Sequence, residues 1–340
     1  MKSTHVLSAV AIAAALSGTT ALAQDGEGLR IGYIVNYATH EWYQNVILGM
    51  EQRAEQLGHT VEVIDANLDM ARQVAAAEDF MAREMDVIIM TPVNEEGVVP
   101  ILRRARADGV PIVLEGNPAP GMQTVVAICD YDTGYLAGVA AGEALGADAE
   151  GIRVMNVGLP LLSATILRSR GFMDGLQTVI PSAEMVHDLD GGGNPDRSQE
   201  VSAAALAADS DIDVIYGIND SSALGALQAW RAAGLPEDDL MVVGTGAEGL
   251  AFLNEMQTEG PYQLEAAMFP EKIGFTAIDT AVALFNGEEV PEYVISPTTA
   301  LTLGEVSSYY SYDGESREIQ WDAVNALEAP EQCMMYASDL

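Results

Sequence analysis

Side chains able to grip a small polar molecule recur in this sequence just after runs that read as β-strands. The run Leu29 to Asn36 is followed by Tyr37, His40, Trp42 and Tyr43, and the strand at Val113 ends in Glu115. Ile152 to Val157 leads to a loop that enters a helix at Arg168. Asp213 to Gly217 ends in Asn219-Asp220, and Leu240 to Gly244 in Thr245-Gly246. In open α/β sheets ligands bind beyond the C-terminal ends of strands, where loops and helix N-termini converge. Aromatic planes cover the apolar C–H face of a polyhydroxylated ligand, while a carboxylate, a guanidinium and an amide satisfy its hydroxyls. Each group also has a structural role open to it. Trp42 and Tyr43 fit as core aromatics, Asn219 as a helix cap, Arg168 as the partner of a surface acid, and Glu115 and His40 as solvent-facing residues.

Catalytic chemistry finds no matching constellation. A Gly-x-Ser-x-Gly nucleophile elbow is lacking, and Gly191-Gly192-Gly193 is not followed by the Lys-Ser/Thr of a phosphate loop. His5, His40, His59 and His187 form no His-x-x-x-His or His-x-His pair. Asp188-Leu189-Asp190-Gly191 resembles a calcium loop only faintly, because Gly192 and Gln199 stand where ligands are required; it reads as a solvated acidic turn. No catalytic residue, metal or cofactor is expected.

The elements that must position these groups follow from hydrophobic periodicity. After the first strand come helix Gln44 to Leu57, strand Thr60 to Ala66, helix Ala71 to Glu84, strand Asp86 to Thr91, helix Val98 to Asp108 and strand Pro111 to Glu115. Gly58 and Gly109 close their helices. The rhythm restarts with strand Ile152 to Val157, helix Leu167 to Thr178, strand Asp213 to Gly217, helix Ser221 to Ala233, and strands Leu240 to Gly244 and Gln263 to Ala267. Apolar runs without alternation, such as Val87-Ile88-Ile89-Met90, suit strands covered on both faces. This is the βαβ rhythm of α/β doubly wound parallel sheets, in two successive units. The segment after Pro297 is too irregular to assign.

Charge and the first residues bound the setting. The 340 residues carry 51 Asp and Glu against 15 Lys and Arg, a net −36, which repels nucleic acid and anionic membrane surfaces. Lys2, the apolar stretch Val6 to Leu16 and Ala21-Leu22-Ala23 read as a secretory signal over residues 1–23, which implies export to the periplasm of a bacterium. Two cysteines, Cys129 and Cys333, are too few for a disulfide scaffold, and in that compartment the two thiols are able to pair.

The chain resembles the type I periplasmic solute-binding proteins of the ribose-binding group, the receptors of ABC importers. The resemblance rests on Ile31-Gly32-Tyr33-Ile34-Val35 through Trp42-Tyr43, Asp86 to Ile89 with Thr91-Pro92, Gly109 to Val113, and Asp130 to Gly138. It continues through Arg168-Ser169-Arg170-Gly171-Phe172, Ile215 to Asp220 and Met241 to Gly244. It implies two lobes joined by a three-strand hinge, with crossings near Cys129-Asp130, Met268-Phe269 and Pro297-Thr298. The lobes would then be 28–129 with 269–297, and 130–268 with 298–340 including a C-terminal extension. It also implies ligand contacts from His40, Trp42, Tyr43, Arg168 and Asn219. Three positions depart from the ribose-type pattern. Glu115-Gly116 stands for Asp-Arg, Thr245-Gly246 for Phe-Asp, and Met268 for a hinge glutamine. With a crossing at Cys129 and the extension holding Cys333, a disulfide would tie the extension to the hinge; two buried free thiols are the alternative.

The reading is an exported, monomeric solute receptor that binds a small sugar or polyol between closing lobes and delivers it to an ABC permease of the inner membrane. The expected ligand contacts are His40, Trp42, Tyr43, Glu115, Arg168, Asn219, Thr245 and Met268. A chemotaxis or quorum-signal receptor, or a receptor for a non-sugar polar ligand, is the competing reading. For a quaternary amine held by Trp42 and Glu115, Arg168 facing the same cleft is the objection.

Overall fold

A computed structural model describes residues 28–258, 260–330 and 333–334. The expected signal segment lies outside the described residues. The first half alternates β1 (Arg30–Val35), α1 (Glu41–Leu57), β2 (Thr60–Asp65), α2 (Met70–Ala82), β3 (Val87–Met90), α3 (Val99–Asp108), β4 (Ile112–Glu115) and β5 (Thr124–Ile128). The second runs through α4 (Asp130–Leu145), β6 (Arg153–Gly158), α5 (Ser163–Val179), β7 (Glu184–Asp190), α6 (Pro195–Ala208) and β8 (Val214–Gly217). It continues with α7 (Asp220–Ala232), β9 (Met241–Gly246), α8 (Ala251–Met256) and β10 (Tyr262–Ala267). Next come α9 (Pro270–Phe285), β11 (Tyr293–Ser296) and β12 (Thr299–Thr302). The last elements are α10 (Leu303–Tyr309), β13 (Tyr310–Tyr312), β14 (Arg317–Ile319) and α11 (Trp321–Asn325).

These elements form two six-stranded sheets, ordered β11-β5-β4-β3-β1-β2 and β12-β10-β9-β8-β6-β7. The pairings are parallel except where β12 joins β10. The chain passes between the sheets at Cys129, at Met268-Phe269 and at Pro297-Thr298. Each sheet is covered by apolar clusters on both faces, which is why strands such as Val87–Met90 are apolar without alternation. Among the described residues no helix is long and apolar enough to cross a membrane.

Helices α4 and α5 meet through glycines on both partners. A Cβ at Gly134 would sit 2.1 Å from the Arg168 carbonyl oxygen, and one at Gly171 would sit 2.0 Å from that of Tyr131. Gly138 and Gly175 meet Phe172 and Tyr135 in the same way, at 2.1 and 2.2 Å. The backbones are therefore in direct contact, and this sets where Arg168 lies relative to Asp130, at the start of α4.

The segment after Pro297, unassigned from its sequence, is built onto the second sheet. Val306, Tyr310 and Val324 enter its core beside Phe252 and Leu253, while Trp321 lies 4.7 Å from the Phe275 ring of α9, on the first sheet. A disulfide joins Cys333 to Cys129, with 5.4 Å between the Cα atoms.

Gly171→Ala forces a methyl into backbone and should cost about 1–3 kcal/mol or more in urea unfolding. Gly304→Ala, whose new methyl meets nothing closer than 4.0 Å, is the control and should change the midpoint little. Equal midpoints for the two variants would refute the backbone contact between α4 and α5.

Candidate functional site

On the first sheet the site begins with a helix cap. His40 has extended backbone, and its Nδ1 accepts from the Trp42 amide at 3.2 Å, so α1 starts at Glu41 rather than at Gln44. Trp42 and Tyr43 thereby occupy the first turn of α1, partly buried against the core that contains Ile31 and Tyr33. Burial lowers the pKa of the His40 ring, with the Gly193 backbone opposing, so the ring touches the glycine-rich loop of the other half. Glu115 ends β4 and is 1% exposed. Its Oε2 accepts from the Tyr33 hydroxyl at 3.4 Å and from the Thr91 hydroxyl. Burial pushes this carboxyl up to about 7, against the pull of the two hydroxyls. Burial and then Glu115 raise the Tyr43 phenol, with Asn36 and Arg168 opposing and Glu248 adding to the rise. Those groups therefore all lie within electrostatic reach of the Tyr43 phenol. Asn36, just after β1, has a buried Oδ1 with no hydrogen-bond partner among the described residues.

On the second sheet Arg168 lies in the second turn of α5, which starts at Ser163, four residues before the expected Leu167. Its Nε donates to Asp130 Oδ1 at 2.6 Å and its Nη1 to the Ile218 carbonyl at 3.0 Å. The pair is largely buried, with side-chain exposures of 15% and 9%. Asn219 caps α7, its Oδ1 accepting from the Ser222 amide at 2.9 Å, and its Nδ2 donates to the Gly193 carbonyl at 3.0 Å. Both ends of that amide are engaged within the protein, and they hold the loop before α6 in place.

Thr245 and Met268, read from the sequence as ligand contacts, belong to the interior. Thr245 lies within β9, is fully buried and donates to the Tyr216 hydroxyl at 3.1 Å. Met268 leaves β10 and packs fully buried among Ile31, Tyr33 and Ile273. An apolar thioether replaces the amide of the ribose-type pattern there because the position faces core.

The sequence reading missed Glu248, which is 5% exposed. Its amide donates to Asp220 Oδ2 at 2.7 Å, and its carbonyl accepts from Asn45 of α1 and from Arg317 at 3.3 Å. The backbone is thus pinned from three elements, while the carboxylate accepts no hydrogen bond from the described residues. A Cβ on Gly246 would lie 2.6 Å from Glu248 Cγ, so the bare glycine makes room for this side chain. The carboxylate that the ribose-type pattern places at Gly246 is thus supplied from two residues further on. An acid just past the strand end was the available signal. Burial lifts Glu248 to about 8, with Arg168 opposing. Behind it, Asp220 and Glu265 are both raised, by burial first; Glu248 then adds to the rise of Asp220, and Asp220 to that of Glu265.

A separate cavity of about 420 Å³ lies at the edge of the second sheet, lined by Asn156, Ser169, Met173, Met185 and Asp188 among others. Asn156 bonds Asp188 and Ser169 there, and none of the groups described above reaches it.

The raised acids fix the sign of a pH effect. Glu115 and Glu248 hold protons in the folded chain that the unfolded chain, near 4.5, has already lost. Their contribution is therefore most favourable at low pH and falls as pH rises from about 4.5 through about 7 and about 8 respectively. Unfolding in urea should show lower stability at pH 8.5 than at pH 5.5, by on the order of a few kcal/mol. Glu248→Gln should flatten part of that slope. A wild-type slope that is flat or rising, or a variant with an unchanged slope, would contradict the burial of this acid.

Residues 31–289 match the model of the periplasmic binding protein domain. The chain is 26% identical over 291 residues to the ribose import binding protein RbsB of Escherichia coli (strain K12), covering 84% of this chain and 93% of that one. It is also 26% identical over 271 residues to a putative rhizopine-binding protein of Rhizobium meliloti, covering 77% and 86%. In three dimensions it is similar to an ABC transporter solute binding protein of Mycobacterium smegmatis with bound glycerol. The TM-score is 0.77 at 24% identity, covering 86% of this chain and all of that one. A solute binding protein of Bacillus halodurans C-125 with bound myo-inositol gives a TM-score of 0.74 at 24% identity, covering 84% and 98%.

Proposed function

Because the chain belongs to the periplasmic binding protein domain family, in its type I ribose-binding group, we propose that it is the solute receptor of an ABC importer. Its ligand is a small sugar or polyol held between two lobes, 28–129 with 269–297 and 130–268 with 298–340. The observation that carries this reading is convergence across the cleft. Trp42, Tyr43 and Glu115 come from one sheet, Arg168 and Glu248 from the other, and Tyr43 lies within electrostatic reach of the three charged groups. Rings cover an apolar ligand face and charged groups bind hydroxyls, an arrangement that suits a sugar or polyol and needs no nucleophile. Names of relatives and bound molecules of similar structures agree in class: ribose, glycerol and myo-inositol.

Closing the lobes excludes water and strengthens the polar contacts, and it presents both lobes together to a permease. The receptor acts as a monomer in the periplasm after removal of residues 1–23. Mass spectrometry of the exported protein should find an N-terminus at or near Gln24; an intact Met1 would refute the processing.

A thermal-shift screen of sugars and polyols tests the function. A true ligand at 100 times its Kd stabilises by about 2.7 kcal/mol. Trp42→Ala and Arg168→Ala should each weaken its binding by about 2 kcal/mol or more in calorimetry. Arg168→Ala also leaves Asp130 buried without its partner, so Trp42→Ala is the cleaner of the two. Wild-type affinity in both variants would move the site elsewhere.

A further inference from the structure

Several buried acceptors of the cleft have unused hydrogen-bonding capacity. Asn36 Oδ1 is buried and unpartnered, and Asn36 as a whole is 9% exposed. Glu115 engages the Tyr33 and Thr91 hydroxyls through Oε2 only. Both oxygens of Glu248 lack a partner among the described residues, although that residue is 5% exposed. On the donor side, Arg168 has already directed Nε to Asp130 and one N–H of Nη1 to a carbonyl, which leaves its Nη2 and the second Nη1 hydrogen, in addition to the Trp42 indole N–H and the Tyr43 hydroxyl. A hydroxyl offers one donor and two acceptor lone pairs, whereas an ammonium offers three donors and no acceptor.

Charge points the same way. Arg168 and Asp130 form a neutral pair, and Arg317, behind the loop after β9, is paired with Glu271 at 2.7 Å. The acids facing this volume are therefore unbalanced. Glu248 is confronted by Arg168 from α5, Glu265 from β10, Glu41 from α1, Arg317 from β14 and Asp220 from α7. Glu115 adds a second carboxyl from the first sheet, and Gly116 follows it where the ribose-type pattern has an arginine. The objection that Arg168 would repel a cation is weakened, because Asp130 sets a compensating charge beside it.

We infer that the cleft is specific for a polyol carrying a basic amine, whose ammonium lies against Glu248 and Glu115. Trp42 and Tyr43 face the ring and the cation, and Arg168 Nη2 binds a hydroxyl. This narrows the sugar or polyol reading and rests on it. A buried acid that is protonated without ligand must ionise to bind an ammonium, so binding near pH 7 releases a proton to solvent.

Calorimetry on matched pairs that differ by one hydroxyl-to-amine replacement tests this: D-glucose with D-glucosamine, D-galactose with D-galactosamine, and myo-inositol with an aminodeoxyinositol. The amine of at least one pair should bind tighter than its neutral partner by about tenfold or more. Repeating the titration in buffers of different ionisation enthalpy should show the released proton. Glu248→Gln, checked for an intact thermal transition, should lose both the preference and the release. If a neutral member binds as well as or better than its amine in every pair that binds, or without Glu248→Gln changing the ratio, the amine specificity falls and the polyol receptor stands. If no member of any pair binds while another neutral sugar or polyol of the thermal-shift screen does, the amine specificity falls and the polyol receptor stands; if nothing in either set binds, the sugar or polyol reading falls and takes this inference with it.

Discussion

Arg168 and Asp130 form the ion pair around which the cleft is arranged. Removing both charges from water is costly, and the pair repays it only when geometry is tightly held. Here the holding is done by backbone. Glycines at 134, 138, 171 and 175 let α4 and α5 touch main chain to main chain, so the first residue of α4 and the second turn of α5 cannot drift apart. Asp130 also follows the first passage between the sheets, which ties the cation of the site to the hinge. One consequence reaches beyond packing: a guanidinium neutralised inside the protein no longer balances the acids of the cleft.

The loop after β9 is the second fixed point, and it depends on the C-terminal segment. Arg317 of β14 donates to the carbonyls of Ala247, Gly249 and Glu248 and to the Glu271 carboxylate, with the Tyr310 ring 4.7 Å beneath its guanidinium. This single side chain joins the loop of one sheet to α9 of the other. The Cys129–Cys333 disulfide anchors the same segment at the first passage. Through Arg317, the segment past β12 helps fix the position of Glu248.

Much of this was readable from residue order and some was not, for physical reasons. Strands with uninterrupted apolar runs announced themselves, as did helices closed by Gly58 and Gly109. Helix α4 did not, because its inward face is Gly134, Gly138 and Ala141, and small residues give almost no amphipathic contrast. Its identity lies in contact with α5, which one-dimensional periodicity does not carry. Trp42, Tyr43, Glu115 and Arg168 were legible as residues that follow strands. Thr245 and Met268 stand at the same strand ends but lie buried in the core, because sequence position there does not say which way a side chain turns. Glu248 escaped for the converse reason: Gly246 marks the family's carboxylate as missing, and the glycine itself is what lets the later acid fold back into that space.

The same burial that makes these acids difficult to ionise gives them a role in closing the lobes. In this structure Glu115 and Glu248 are withdrawn from water, and each either stays protonated or carries a charge that burial penalises. An opening that hydrated them would let both ionise at neutral pH. Closure without a counter-group therefore works against the acids, and closure around donors that match them does not. A ligand shifts a two-state equilibrium only by its differential affinity for the two states, and unpartnered buried carboxyls concentrate that difference in the closed one. The glycines, the Arg168–Asp130 pair and the Arg317 staple hold the frame rigid enough for this difference to be felt as closure rather than lost in local adjustment.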